Sequence, residues 1–302
     1  MREPGVQRQV IQTKDYLWGL KSIDMKYAEL YEYGKKTLED AGIQEASIDA
    51  RLLLEFATGA DRTLLYAHPE TEVEEQKKAD FESFLAKRAG RMPLQHITRR
   101  QSFMGLTFLV NENVLIPRQD TEILVEEVMR EPFDGCRILD ICSGSGCILL
   151  SLLRYSNDTT GVGLDISEKA VEIAKENAKL LEFEEDRVSF LKSDLLEKAE
   201  GIFDIVVANP PYIKTDVIET LMPEVREHEP ILALDGGGDG LLFYKKILKD
   251  LPPYVRKGTR IYFEIGYDQG QEVKALMEEA GISCVEIIKD YAGLDRVVFG
   301  EY

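Results

Sequence analysis

From residue 135 to the C-terminus, short β-branched apolar runs alternate with stretches of helical period, and few folds accept such a chain. CRILDI, GVGLDI, RVSFLKSD, FDIVVANPPY and GTRIYFEIG read as strands, and SGSGCILLSLLRYS, SEKAVEIAKENAKLL, GLLFYKKILKDL and GQEVKALMEEAG as helices. Strand–helix alternation predicts a parallel sheet with helices on both faces. The last two runs, SCVEIIKD and DRVVFGEY, are joined only through YAGL, too short for a crossover helix. The expectation is an α/β, Rossmann-like sheet of seven strands whose final strand runs antiparallel.

Upstream the texture differs. MKYAELYEYGKKTLEDAGI has Leu30, Tyr33 and Leu38 on one helical face. SIDARLLLEFATG reads as a second helix with Ser47 as N-cap and Gly59 as its stop. DRTLLYAHPE is a short helix ended by Pro69, and VEEQKKADFESFLAKRAGRMP a longer one stopped by Gly90 and Pro93. Phe103, Leu106, Phe108 and Val110 then suggest two short strands turning at Met104-Gly105. The expected organisation is a disordered tail over 1–24, a helical domain over 25–98, a β-hairpin linker over 99–117 and the α/β domain over 118–302.

No apolar run approaches the ~20 residues of a membrane span, and the N-terminus lacks the apolar core of a signal peptide. Four cysteines without a CxxC pair read as reduced thiols, so a cytoplasmic location without a membrane partner is expected. Net charge is −18, unevenly spread: residues 1–100 carry 16 Lys+Arg against 17 Asp+Glu, and 101–302 carry 21 against 38. Such a body repels a polyphosphate backbone, so no direct nucleic-acid contact is expected. It suits a basic protein partner, although solubility alone also accounts for it.

ILDICSGSGCILL places Asp140 at a strand end and Gly144 and Gly146 in the turn after it, where backbone can approach a ligand at a helix N-terminus. Leu149 occupies the position that a dinucleotide fingerprint keeps small, so a plain βα turn is the other reading. Asp165 ends the next strand and can accept from both hydroxyls of a ribose, or cap the following helix, a job Ser167 could share. Asp194 ends the third strand. Three strand-end carboxylates suit a nucleoside ligand, since open α/β sheets bind ligands at these ends.

The fourth strand stops at Asn209, followed by Pro210, Pro211 and Tyr212. The prolines stiffen the loop and leave carbonyls as acceptors. Asn209 adds an amide oxygen and Tyr212 a flat face, a cradle for a planar NH2. Its other reading is a rigid turn. Alkylation of a weak nitrogen needs such a cradle, because holding both N–H groups stabilises charge developing on nitrogen without a base. His228, in REHEPILALDGG, belongs to no HExxH zinc motif, and no metal is expected.

DICSGSG, GVGLDIS, KSDLL and VVANPPYI, in this order, resemble a class I S-adenosylmethionine-dependent methyltransferase of the amino-nitrogen type. FMGLTFLVNENVLIPRQDTEILVE, EVREHEPILALDGGGDGLLFYKKIL, FEIGYDQG and DYAGLDRVVF narrow the resemblance to the PrmC/HemK family of peptide chain release factor glutamine methyltransferases. The resemblance implies N5 methylation of the glutamine in a Gly-Gly-Gln loop, with S-adenosyl-L-homocysteine as the other product. It places Asp140, Cys142, Ser143, Gly144, Ser145 and Gly146 at the cofactor's methionine end, Asp165 and Ile166 at its ribose, and Asp194 and Leu195 at its adenine. Asn209, also at the cofactor, Pro210, Pro211 and Tyr212 would hold the glutamine amide, with Phe103, Arg118, Thr121 and Glu122 completing the substrate site. Arg118 could equally form a structural ion pair. Gln119 stands where the family often has proline. The helical region would add contacts to the release factor, and a monomer is expected.

Rival readings are a ribosomal-protein glutamine or nucleic-acid adenine-N6 methyltransferase, a non-catalytic cofactor-binding protein and a nucleotide-dependent dehydrogenase. The near-neutral residues 1–100 argue against the nucleic-acid enzyme, the intact NPPY against the second and Leu149 against the third.

Overall fold

The structure is a computed structural model describing residues 25–302, so the tail expected over 1–24 lies outside the described residues. The chain divides into two compact units, Met1–Gly90 and Arg91–Tyr302.

The first unit is helical: α1 (Tyr27–Asp40), α2 (Ala46–Thr58), α3 (Arg62–Ala67) and α4 (Glu75–Ala89). On α1 the buried face is Tyr27, Leu30, Gly34 and Leu38, not Tyr33, which is exposed. Gly34 takes that place because a Cβ there would stand 2.6 Å from the Phe81 ring of α4. Helix α2 starts two residues earlier than expected, with Glu45 at the cap position, so Ser47 lies inside it. A buried pair, Arg88 Nε donating to Asp49 Oδ2 at 2.7 Å, ties α4 to α2.

The second unit opens with α5 (Leu94–Thr98), which the sequence reading left out. Pro93, expected only to stop α4, sits at the N-cap of α5 with φ −53° and ψ 140°. Strands β1 (Arg100–Phe103) and β2 (Leu106–Leu109) form the expected antiparallel hairpin. Met104 and Gly105 both have positive φ, as the two-residue turn requires. After α6 (Glu122–Met129) come β3 (Arg137–Ile141), α7 (Cys147–Arg154), β4 (Thr160–Asp165), α8 (Glu168–Leu180), β5 (Val188–Lys192) and β6 (Ile205–Ala208). Then follow α9 (Pro223–Arg226), α10 (Leu242–Asp250), β7 (Arg260–Glu264), α11 (Gly270–Glu279), β8 (Ser283–Lys289) and β9 (Asp295–Glu301).

Strands β3 to β9 form one sheet in the order β5-β4-β3-β6-β7-β9-β8. Pairing is parallel from β5 to β7, and β9 runs antiparallel to both its neighbours. Period-two alternation splits the core. Ile138, Ile205, Val207, Tyr262 and Val297 face α6, α7 and α8, while Leu139, Ile141, Val206, Ala208, Phe263 and Val298 face α10 and α11. Among the described residues no helix is long and apolar enough to cross a membrane.

Candidate active site

Strand order reverses between β3 and β6, and a cavity opens at the carboxyl ends of the strands there. Ser143, Gly144, Asp165, Ile166, Asp194, Leu195, Asn209 and Pro211 all line it. Asn113, Val114, Leu115, Pro117 and Arg118 bound one side, and Pro230, Leu232 and Ala233 another.

The turn after β3 is built for backbone approach. Cys142, Gly144 and Gly146 have φ of +62°, +53° and +78°, and Gly146 caps α7. Two bonds pin the turn to β4: Ser143 N–H donates to the Leu164 carbonyl, and Gly144 N–H to Asp165 Oδ2 at 2.8 Å. Leu149 is accommodated from the strand side. A Cβ on Gly161 of β4 would stand 2.4 Å from its Cδ1, so the small residue lies on the strand instead of the helix.

Asp140 is 0 % exposed, and neither carboxylate oxygen has a hydrogen-bond partner. Burial, with the charge of Asp165 adding to it, holds its carboxyl well above the usual range. The Ser143 hydroxyl is also buried and unpartnered. Ser167, not Asp165, supplies the side-chain cap of α8, accepting from Ala170 N–H at 3.2 Å. Asp165 Oδ1 accepts from Ser167 N–H at 2.8 Å, and its carboxylate faces the cavity. Burial raises the Asp165 carboxyl while the Ser167 and Gly144 N–H groups lower it. Asp194 lies exposed, two residues beyond β5. Leu195 beside it has φ +46°, a second non-glycine residue of the site in the left-handed region.

Asn209 is half-buried directly after β6, its Nδ2 donating to Thr121 Oγ1 at 3.4 Å. Both prolines are buried, but only Pro211 reaches the cavity wall. Tyr212 does not. Its ring lies behind the wall with the hydroxyl donating to Glu264 Oε1 at 3.4 Å, and burial raises the phenol well above its ordinary range. The NPPY loop is clamped by residues 234–240, which the sequence reading gave no role. A Cβ on Gly236 would stand 2.7 Å from Tyr212 Cα, and one on Gly240 2.5 Å from the Tyr212 carbonyl oxygen. Gln269 Nε2 completes the clamp, donating to the Tyr212 and Gly240 carbonyls.

Other expected residues divide. Arg118 lines the cavity and grips Glu229 with both carboxylate oxygens at 2.6 and 2.8 Å. Thr121 is buried at the cavity wall. Glu122 is absent from that wall; its Oε1 accepts from Met104 N–H at 2.6 Å and anchors the hairpin turn. Phe103 is a correction: it is 1 % exposed, edge-on to Phe108 in the core, and has no surface to offer a substrate. Asn177, unmarked in the sequence reading, is 0 % exposed on α8. It bonds both backbone groups of Leu109 and the Ser145 carbonyl, tying hairpin to glycine turn. A fully buried amide inside a helix was its only sequence signal.

The PrmC N-terminal domain profile matches residues 29–98, and the methyltransferase small domain profile residues 118–236. A release factor glutamine methyltransferase of Caulobacter vibrioides is 43% identical over 269 residues, covering 88% of this chain and 93% of that relative. The protein of the same name from Clostridium acetobutylicum is 42% identical over 255 residues, covering 83% and 89%. In fold the chain is similar to the crystal structure of a methyltransferase from Pyrococcus furiosus, with a TM-score of 0.53 at 16% identity over 72% of this chain and 98% of that one.

Proposed function

The chain belongs to the release factor glutamine methyltransferase family, and from that premise we propose that it transfers a methyl group from S-adenosyl-L-methionine to the N5 side-chain nitrogen of the Gly-Gly-Gln glutamine of peptide chain release factors. The observation that carries this reading is that Asn209 and Pro211 line the same cavity as Asp165 and the glycine turn. An amide cradle and a nucleoside-type site share one space.

The residues fit the cofactor. The Ser143 hydroxyl, buried and unpartnered at the cavity wall, suits a polar group of its methionine end, while Asp140, also unpartnered, is not on that wall. Each Asp165 oxygen spends one lone pair on a backbone N–H and keeps another for a ribose hydroxyl. Asp194 and Leu195 flank the space left for the base. When bound, the cofactor supplies an electrophilic methyl carbon on a sulfonium and leaves as the neutral thioether.

Asn209 Oδ1 and a backbone carbonyl of the Pro210-Pro211 pair, of which Pro211 lines the cavity, accept the two N–H groups of the substrate amide. This turns the nitrogen lone pair toward the methyl and stabilises positive charge developing on nitrogen. The nitrogen gains one carbon bond and gives up one proton to water. Fixing that geometry is worth several kcal/mol by itself. The acidic charge of residues 101–302 steers a basic partner toward this domain, and the helical unit adds contacts to it.

The test is transfer of labelled methyl to a release factor, with its loop Gln→Ala variant and a DNA duplex alongside. Label on the wild-type factor alone is expected. Equal label on the variant, or label on DNA, overturns the reading.

A further inference from the structure

Two stretches without a role in the cavity wall, FEIGYDQG and DYAGLDRVVF, are joined by the fold just behind it. Glu264 closes β7 one step beyond the Ala208–Phe263 pair, so it stands across from Asn209 on the same sheet face. It is 2 % exposed. The Tyr212 hydroxyl donates to its Oε1, and Oε2 has no partner. Thr121, whose Oγ1 accepts from Asn209, is the strongest of the groups favouring the ionised form. The charge of Arg296 on β9, itself held by Asp290 at 3.0 Å and Asp120 at 3.3 Å, also favours the ionised form.

A buried carboxylate at the end of an apolar strand is costly to keep. What it offers over Gln is a second acceptor oxygen and a charge, where Gln sets an NH2 donor in place of one oxygen. A hydroxyl has one proton. If Thr121 donates to Glu264, its oxygen is left to accept, and Asn209 must present its NH2 to Thr121 and its Oδ1 to the cavity. A protonated Glu264 becomes a donor itself, frees the Thr121 proton, and the order along the chain is lost. The polarity of the cradle therefore follows the charge on Glu264.

Resting on the amide-methyltransferase reading above, we propose that Glu264 is a positioning residue for this reaction: ionised, it accepts from Thr121 and Tyr212 and so holds Asn209 with its carbonyl oxygen toward the substrate amide. Burial pushes the Glu264 carboxyl up to about 7, against the opposing pull of Thr121, Arg296 and Tyr212, while Asp120 raises it further. The other titratable groups facing it are Tyr212, Tyr244 of α10 and Cys147 of α7, all raised by burial and so neutral through this range.

The test is kcat against pH for methyl transfer to a release factor with both substrates saturating. Wild-type kcat falls as pH drops through about 7. Glu264→Gln loses about tenfold or more in kcat at alkaline pH and loses the acid limb, with cofactor affinity by calorimetry within about twofold of wild type. Asp120→Asn, whose side chain is 60% exposed, folds normally and moves the limb to lower pH by removing a charge that raises Glu264. Glu264→Gln retaining wild-type kcat and limb, or Asp120→Asn leaving the midpoint in place, overturns the proposal. A wild-type enzyme that labels no release factor at any pH overturns the functional reading itself.

Discussion

Arg118 holds both oxygens of Glu229, at 2.6 and 2.8 Å, and the Glu229 side chain is 1% exposed. The Arg118 Nη2 group donates to both oxygens, and this pair joins the segment before α6 to the loop that carries Pro230, Leu232 and Ala233 over the cavity. Burial alone raises the Glu229 carboxyl, and Arg118 is what lowers it. Arg118→Ala leaves that carboxylate unpaired and costs about 2 kcal/mol by urea unfolding. The same variant weakens cofactor binding, because the roof loses its tether. Wild-type cofactor affinity in Arg118→Ala would show that the roof stands without the pair.

Gly236→Ala and Gly238→Ala separate a close backbone approach from mere loop glycine content. A Cβ at 236 would lie within 2.8 Å of three Tyr212 and Pro211 backbone atoms; nothing lies within 4 Å at 238. Backbone cannot swing aside, so Gly236→Ala displaces the NPPY loop. The expected loss is about 100-fold in kcat, the scale of a misplacement near 1 Å, with cofactor affinity little changed. Gly238→Ala is expected to match wild type. Equal kinetics for the two variants would remove the clamp.

The sheet and half the cavity were legible because both rest on local signals. Period-two apolar runs located the strands, and Asp165, Asp194 and Asn209 stood out as polar residues at their ends. Phe103 misled because an aromatic beside a hairpin turn reads alike whether it faces a ligand or Phe108. Glu264 carries the same strand-end signal as Asp165, in FEIG, yet its partner Tyr212 and the groups Thr121 and Arg296 that act on its charge come from distant parts of the chain. Insertion of β9 between β7 and β8 was equally non-local. Asn177 shows the gap best, because long-range hydrogen bonds leave no periodicity. Asn177→Ala removes three of them and is expected to cost about 3 kcal/mol. Cofactor affinity falls with it, as Ser145 loses its anchor. An unchanged unfolding midpoint would count against that linkage.

Asn209→Ala separates binding from chemistry. The glycine turn, Asp165 and Asp194 are untouched, so calorimetry is expected to give near-normal cofactor affinity. The proposed acceptor for the substrate amide is gone, so kcat is expected to fall by on the order of 10²–10³, the usual effect of losing one preorganised polar group at developing charge. Turnover within a few-fold of wild type would mean that the cradle is built from other groups.

Glu264 also sets a stability effect whose sign opposes its proposed effect on rate. Its carboxyl is raised from 4.5 to about 7 in the folded protein, chiefly by burial. A group raised on folding favours the folded state in its protonated form. Its contribution is fully present below the unfolded value and is lost as pH rises through the folded one. Gln at this position is neutral throughout. The melting temperature of Glu264→Gln minus that of wild type therefore grows between about pH 5 and about pH 8.5. Over the same interval the wild-type rate is expected to rise, which would put the working range where this acid destabilises the fold. Thermal unfolding of both proteins at the two pH values checks this, and a constant difference would place the Glu264 carboxyl outside that range.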